Sequence, residues 1–284
     1  MTIKELINTS APTLSKTYSL DEAKYIIKLL VADFLKLNKQ QLVLASKNEA
    51  SCELKDYVSF CISKLSENVP FQYILGFENF YGYDFIVNEN VLIPRPETEE
   101  LVEWISQTLE GNSTAHILDI GTGSGCIPIT LNKLLPNINI EAVDISAKAL
   151  ETAKQNNLKN NTKVVFLQLD ILNENAWNFE SKFEVIVSNP PYIPNKEKAL
   201  MQANVIDFEP HLALFVEDDD ALIFYEKIAD FSLKYLASNG FLFFECNEFN
   251  AQDVKEMLSS KGYVQIELRK DMSGKERMIK ASLL

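Results

Sequence analysis

The feature that most constrains this chain is Asp119-Ile120-Gly121-Thr122-Gly123-Ser124-Gly125. It closes a short apolar run and places glycines at alternate positions, where backbone can approach a ligand that any β-carbon would obstruct. A loop of this kind belongs between a strand and a helix at the edge of a parallel sheet. The rest of the chain after Gly111 agrees with that placement. Ile117–Ile120, Ile138–Val143, Val164–Leu167, Val185–Val187 and Phe241–Phe244 read as buried strands, separated by segments that read as helix or loop. Tyr263–Leu268 and Arg277–Ala281, joined by a turn around Ser273-Gly274, add a terminal hairpin. The expectation is an α/β fold with a doubly wound, seven-stranded, mostly parallel sheet.

Upstream the pattern is helical. Ser19-Leu20-Asp21-Glu22 has the form of a capping box ahead of Ala23, Ile26, Ile27, Leu30, Phe34 and Leu37, and Leu54, Tyr57, Val58, Cys61, Ile62 and Leu65 repeat the amphipathic stripe. After Val69-Pro70, aromatic and β-branched residues predict extended structure from Phe71 to Ile93, with Phe77–Gly82 and Tyr83–Val87 pairing as a hairpin. The stiff Pro94-Arg95-Pro96 segment then leads into a helix from Glu97 to Leu109. The expected organisation is a helical domain over 1–68, a hairpin linker over 69–96 and a nucleotide-binding-type domain over 97–284.

The chain carries 40 acidic against 27 basic residues, a net charge of −13, which disfavours a nucleic-acid substrate because phosphate binding needs clustered lysine and arginine. Its longest apolar runs fall short of the ~18 residues of a membrane span. The early Lys4-Glu5 leads into no long apolar stretch, so no secretory signal is expected and the cytoplasm is the default. Cys52, Cys61, Cys126 and Cys246 form no paired motif and read as structural thiols, while His116 and His211 read as packing or turn residues. No metal is expected.

The second strand ends at Asp144, about 20 residues past the glycine loop, where a carboxylate can accept both hydrogens of a ribose diol. The third ends at Asp170, placed to lie beside an adenine amino group, so Asp119, Asp144 and Asp170 are expected as one cluster of strand-end acids. A dinucleotide fingerprint would need glycine or alanine where Cys126 stands, which argues against a nicotinamide or flavin and favours a methyltransferase. The fourth strand runs into Ser188-Asn189-Pro190-Pro191-Tyr192. A nitrogen nucleophile bearing two hydrogens needs two acceptors to orient it, and the Asn189 side-chain carbonyl and the Pro190 backbone carbonyl supply them. The consecutive prolines stiffen the loop without adding competing donors, and Tyr192 offers an aromatic wall. No general base is needed, since orientation carries the transfer.

On Pro70 to Gly76, Val91 to Glu99, Ile117 to Cys126 and Val187 to Ile193, the sequence resembles the HemK/PrmC family of protein-(glutamine-N5) methyltransferases. The resemblance covers roughly residues 69–280. It implies a class I S-adenosyl-L-methionine methyltransferase fold and methylation of the glutamine in the Gly-Gly-Gln motif of class I peptide chain release factors. It further implies that Arg95 to Glu99 closes over the active site and that the N-terminal helical domain helps bind the release factor. Position by position, it assigns Gly121, Thr122, Gly123, Ser124, Gly125 and Asp144 to the cofactor and Asn189, Pro190, Pro191 and Tyr192 to the glutamine amide. Asn189 touches both ligands, and Ile171, after Asp170, contacts adenine. Trp177 is expected in the core. The chain departs from the family at Glu245-Cys246-Asn247, where Glu-Ile-Gly is usual, at Pro128 and at Ala221. The alternative is an N6-adenine DNA methyltransferase, whose exocyclic amine poses the same hydrogen-bonding problem. A monomer is the default.

Overall fold

The computed structural model describes residues 1–112, 114–201 and 203–283. The chain divides into two compact units. Met1–Gly76 with the short helix Ala203–Phe208 forms one, and Phe77–Met201 with Glu209–Leu284 forms the other.

In the first unit, α1 (Ile3–Ser10), α2 (Leu20–Leu35), α3 (Lys39–Ala45) and α4 (Cys52–Ser66) bury Leu6, Ile26, Ile27, Leu30, Leu54, Val58 and Cys61 in one core. Ser19 caps α2 by accepting the Glu22 amide at 3.3 Å, half of the box its sequence suggests. Thr2 and Asn38 form complete boxes with Glu5 and Gln41. Phe71–Leu75 is a helix, α5, not the extended segment expected from its aromatic and β-branched composition. Pro70 stands at its N-cap, and Gly76, at φ +77°, ends it with an amide donated to Gln72 O at 2.8 Å. Phe71, Ile74 and Leu75, spaced for one helix face, pack on the unit's core.

The second unit opens with a hairpin, β1 (Phe77–Phe80) and β2 (Tyr83–Ile86), turned at Tyr81-Gly82, both at positive φ. Then follow α6 (Pro96–Thr108), β3 (His116–Ile120), α7 (Cys126–Leu134), β4 (Asn139–Asp144), α8 (Ala147–Lys159), β5 (Val165–Gln168), β6 (Phe183–Ser188) and the two-residue β7 (Ile193–Pro194). After α9 (Ala203–Phe208) come α10 (His211–Leu214), β8 (Phe215–Val216), α11 (Ile223–Tyr235), β9 (Leu236–Glu245), α12 (Ala251–Ser260), β10 (Val264–Lys270) and β11 (Glu276–Ser282). The central sheet has seven strands in the order β10-β11-β9-β6-β3-β4-β5, parallel from β9 to β5, with β11 and β10 antiparallel.

Strand residues alternate between two cores. Leu118, Ile120, Ile186, Leu242 and Phe244 face α11 and α12, while Ile117, Ile140, Val185, Val187 and Phe243 face α6 and α7. Burial on both faces explains why these strands read as unbroken apolar runs. Trp177 lies in the first of these cores, its ring edge-on to Phe231. No helix among the described residues is long and apolar enough to cross a membrane.

One buried amide ties the hairpin to the sheet's edge. Asn156 on α8 accepts the Ile86 amide at 2.6 Å and donates to Ile86 O at 3.0 Å and Ser124 O at 2.9 Å. Leaving a buried backbone group unpaired costs about 1–3 kcal/mol. Asn156→Ala is expected to lower unfolding stability in urea by roughly 2–4 kcal/mol. Asn156→Asp, which cannot donate to either carbonyl, is expected to lose as much or more, and a change below about 0.5 kcal/mol in both would refute the tie.

Candidate active site

The pairing of β3 with its neighbours sets the site. Ile120 lies opposite Val143 of β4 and Ser188 of β6, so three parallel strands end level and their loops leave at one edge. Gly121 and Thr122 donate their amides to Val143 O at 2.9 and 3.0 Å, and the buried Ser188 hydroxyl donates to Ile120 O at 2.7 Å. Gly121, Gly123 and Gly125 all have positive φ, between +54° and +79°. A β-carbon at Gly121 or Gly123 would meet no protein atom within 4 Å, so these two are glycine for backbone conformation and leave open space beside the loop. At Gly125 it would meet Ile129 and Ala153, at 3.0 and 3.2 Å, so this third glycine serves the seating of α7 against α8.

A single cavity opens at this edge, bordered by Gly121 and Gly123, by Asp144, Ile145 and Ser146, by Leu169, Asp170, Ile171 and Leu172, and by Ser188, Asn189, Pro190 and Pro191. Asn90, Val91 and Leu92, then Pro210, Leu212 and Ala213, with Phe224 and Ile228 of α11, complete it. The structure therefore brings Gly121, Gly123, Asp144, Asp170, Ile171, Asn189, Pro190 and Pro191 to one space. Thr122, Ser124, Gly125 and Tyr192 are not among its walls. Thr122 and Ser124 are buried within the loop, and half-buried Tyr192 packs against the core that contains Tyr225. Of the covering segments, Val91 and Leu92 belong to the Val91 to Glu99 stretch that carries the family resemblance, whereas Pro210, Leu212 and Ala213 belong to no motif read from the sequence.

Asp144 holds the loop in place. Its Oδ2 accepts the Gly123 amide at 2.8 Å and its Oδ1 accepts the Ser146 amide at 2.9 Å. Burial raises its pKa above the usual carboxylate range, and these backbone bonds offset part of the rise. Each oxygen keeps a further lone-pair direction for a ligand hydroxyl. Asp170 accepts the Leu172 amide at 2.9 Å, a turn that presents Ile171 to the cavity, and the Trp177 indole donates to Ile171 O at 3.0 Å. The Asn189 side chain forms no hydrogen bond among the described residues, so both its carbonyl and its amide are free for a ligand.

The expected trio of strand-end acids is divided. Asp119 shares the strand parity of Ile117 and lies wholly buried behind the loop, on the side of α6 and α7, away from the cavity. Neither of its oxygens has a hydrogen-bond partner. The Thr122 hydroxyl lies near enough to lower its pKa somewhat but outside bonding geometry, while burial, aided by Asp144, pushes the carboxyl up to about 7. Glu245, at the end of β9, is likewise pushed by burial to about 7 although it accepts the Thr98 hydroxyl at 2.6 Å. The thiols beside these acids are inert, since burial pushes Cys126 and Cys246 up to about 12.

The walls fit S-adenosylmethionine on their own chemistry. Glycines leave room for close backbone approach, a carboxylate stands at the end of the second strand for a diol, and apolar Ile145, Leu169 and Ile171 suit an aromatic base. The mildly acidic edge suits a sulfonium charge.

The two buried acids have a measurable consequence. A carboxylate whose folded pKa exceeds its unfolded value binds protons more tightly when folded, so its contribution to stability falls as pH rises between the two pKa values. Wild-type stability relative to Asp119→Asn is therefore expected to fall between about pH 4 and 7, by up to ~1.4 kcal/mol per pH unit, and to level off above. Denaturant unfolding across that range tests it, and a pH-independent difference would refute the assignment.

Residues 98–211 match the methyltransferase small domain and residues 5–76 match the PrmC N-terminal domain. A solved methyltransferase from Pyrococcus furiosus superposes with a TM-score of 0.53 at 19% identity, over 80% of this chain and 100% of that one, which shows the class I methyltransferase fold. The release factor glutamine methyltransferase of Bacteroides thetaiotaomicron is 39% identical over 95% of this chain and 96% of its own. That of Flavobacterium psychrophilum is 42% identical over 99% of each. At this identity over the full length, with the cavity and the Asn-Pro-Pro-Tyr loop in place, the chain belongs to the release factor glutamine methyltransferase family.

Proposed function

We propose that this enzyme methylates the side-chain amide nitrogen of the glutamine in the Gly-Gly-Gln motif of class I peptide chain release factors, with S-adenosylmethionine as the methyl donor. The observation that carries the reading is that Asn189, Pro190 and Pro191 border the same cavity as Gly121, Gly123 and Asp144. When bound, the cofactor supplies an electrophilic methyl group on a sulfonium.

The chain's own residues then have an orienting task. The Asn189 carbonyl accepts one amide hydrogen of the glutamine and the Pro190 carbonyl accepts the other, which leaves the face of the nitrogen that carries its lone pair directed at the methyl group. The N–C bond would form as the C–S bond breaks to a neutral thioether, and the surplus nitrogen proton would then pass to solvent. Pro190 and Pro191 contribute no N–H to compete and resist rotation of the loop. Tyr192 braces the loop from its packed side, and its hydroxyl stays neutral because burial, reinforced by Glu245, raises its pKa. Asp144 takes the ribose hydroxyls, Gly121 and Gly123 leave room for the cofactor beside the loop, and Asp170 and Ile171 flank the base.

The helical unit contacts the release factor on the same reading, and the enzyme acts as a monomer in the cytoplasm. The net charge of −13 supports action without direct nucleic-acid contact.

The test supplies labelled cofactor with either a release factor or adenine-containing DNA and locates the label by mass spectrometry. Transfer to the glutamine is expected, and transfer to DNA alone would overturn the reading. Asn189→Ala is expected to lower kcat by about 10²–10³-fold, the scale of losing one orienting polar group, with little change in cofactor affinity. Asp144→Ala is expected to weaken cofactor binding by about 10- to 100-fold, the worth of one or two charge-assisted hydrogen bonds. Unimpaired turnover in the first, or an unchanged titration in the second, would remove that residue from its role.

A further inference from the structure

The cavity has walls of two constructions. One consists of the loops after β3, β4, β5 and β6, each fixed by the sheet. The other, beside Phe224 and Ile228 of α11, comprises Asn90 to Leu92 and the group Pro210, Leu212 and Ala213, two stretches that take no part in the central sheet and lie more than a hundred residues apart in sequence.

A single carboxylate joins this second pair. Glu209 is 4% exposed. Its Oε2 accepts the Ile93 amide at 3.2 Å and its Oε1 accepts Arg95 Nη2 at 2.5 Å. The stretch Ile93-Pro94-Arg95-Pro96 has only two backbone N–H groups, because prolines have none, so no regular ladder can anchor it. Glu209 takes one of the two and adds the guanidinium. On its own side it precedes Pro210, whose fixed φ of −65° leads directly into α10 and the wall residues Leu212 and Ala213. Removing either member of such a pair strands a buried or half-buried charge, which strongly favours the joined arrangement. Arg95 held there also stands near enough to Tyr192 and Glu245 to lower the pKa of both.

We propose that Glu209 is a positioning residue for cofactor binding: by gripping the Ile93 amide and the Arg95 guanidinium, it fastens the 90–95 stretch to the 210–213 stretch across the cavity. The inference rests on the reading of that cavity as the S-adenosylmethionine site. Glu209 touches no reacting atom and acts through the two stretches it joins.

Calorimetric titration of S-adenosylmethionine into wild type, Glu209→Ala, Glu209→Gln, Arg95→Ala and the double Glu209→Ala/Arg95→Ala variant tests it. Melting temperatures and amide exchange at Ile93 are recorded without cofactor. Glu209→Ala and Arg95→Ala are each expected to raise Kd by about tenfold or more, ~1.4 kcal/mol. The double variant should bind no more weakly than Glu209→Ala alone, since both act through one bond. Glu209→Gln keeps an acceptor for Ile93 and should fall between. Exchange at Ile93 should accelerate in Glu209→Ala and stay slow in Arg95→Ala, a pattern that general loss of stability would not produce. At saturating cofactor and release factor, kcat should recover most of its wild-type value. Arg95→Ala, altered at a one-third-exposed side chain, keeps the test valid should Glu209→Ala fail to fold. Wild-type Kd in folded Glu209→Ala or Arg95→Ala, or additive losses in the double variant, would overturn the proposal. Absence of binding by wild type, with slow Ile93 exchange intact, would instead overturn the cofactor-site reading and with it the role assigned to Glu209.

Discussion

The level ending of β3, β4 and β6 is the constraint on which everything else depends. Parallel pairing sets Ile120 opposite both Val143 and Ser188, so loops from distant parts of the chain emerge at one height on the carboxyl edge, where open α/β sheets bind ligands. The register is overdetermined. A slip of one residue in β3 would carry Asp119 into the core of Leu118 and Ile120, and would remove those side chains from contact with α11 and α12. Two apolar cores, one on each face, oppose any such slip, and the Ser188 hydroxyl pins β6 to β3 at the point where the 189–192 loop begins.

What the sequence made legible follows from constraints of the backbone itself. Alternating glycines, an acid at the end of the second strand and consecutive prolines after the fourth each limit a local conformation, and local limits survive without knowledge of the fold. Less legible were segments where composition and context pull apart. Phe71 to Leu75 has the residues of a strand, yet a core on one side and Gly76 at positive φ make it helical. Strand β9 begins at Leu236, ahead of the Phe241–Phe244 run that marks it in the sequence. There Asn239 takes a positive φ, the pairing with β6 shifts register, and a β-carbon at Gly240 would sit 3.0 Å from Ala237 O, Glu184 O and Leu236 Cγ, so the glycine is set by crowding from its own segment as well as from β6. The side on which Asp119 falls could have been read, since parity with Ile117 sends it away from the Leu118 and Ile120 face.

Other determinants are polar pairs whose members lie far apart in the chain. Asn156 meets Ile86, Glu209 meets Ile93 and Arg95, and Thr98 meets Glu245, across separations of 70 to 147 residues. A single sequence shows each only as a lone polar residue near apolar neighbours, and nothing local names its partner. Folding does so by elimination, because a buried donor or acceptor must find a mate and the packed cores leave few choices. Such pairs therefore decide where loops rest, while the apolar pattern decides only which elements exist.

Several ionisable groups around the 189–192 loop are held back from the cavity. Tyr192 is held neutral, the Cys126 and Cys246 thiols are raised to about 12, and Asp119 and Glu245 are buried behind the strand ends with pKa values near 7. None of these groups is among the residues that border the cavity. At the loop itself the cavity wall offers the free Asn189 side chain and two stiff prolines, which can orient a ligand but cannot take its proton. An amide nitrogen, whose lone pair is tied up in conjugation, responds less to a base than to being held at the correct angle. In the proposed reaction a rigid pair of acceptors in a partly apolar cavity would meet that requirement, because the loss of rotational freedom would be borne by the fold before substrate arrives.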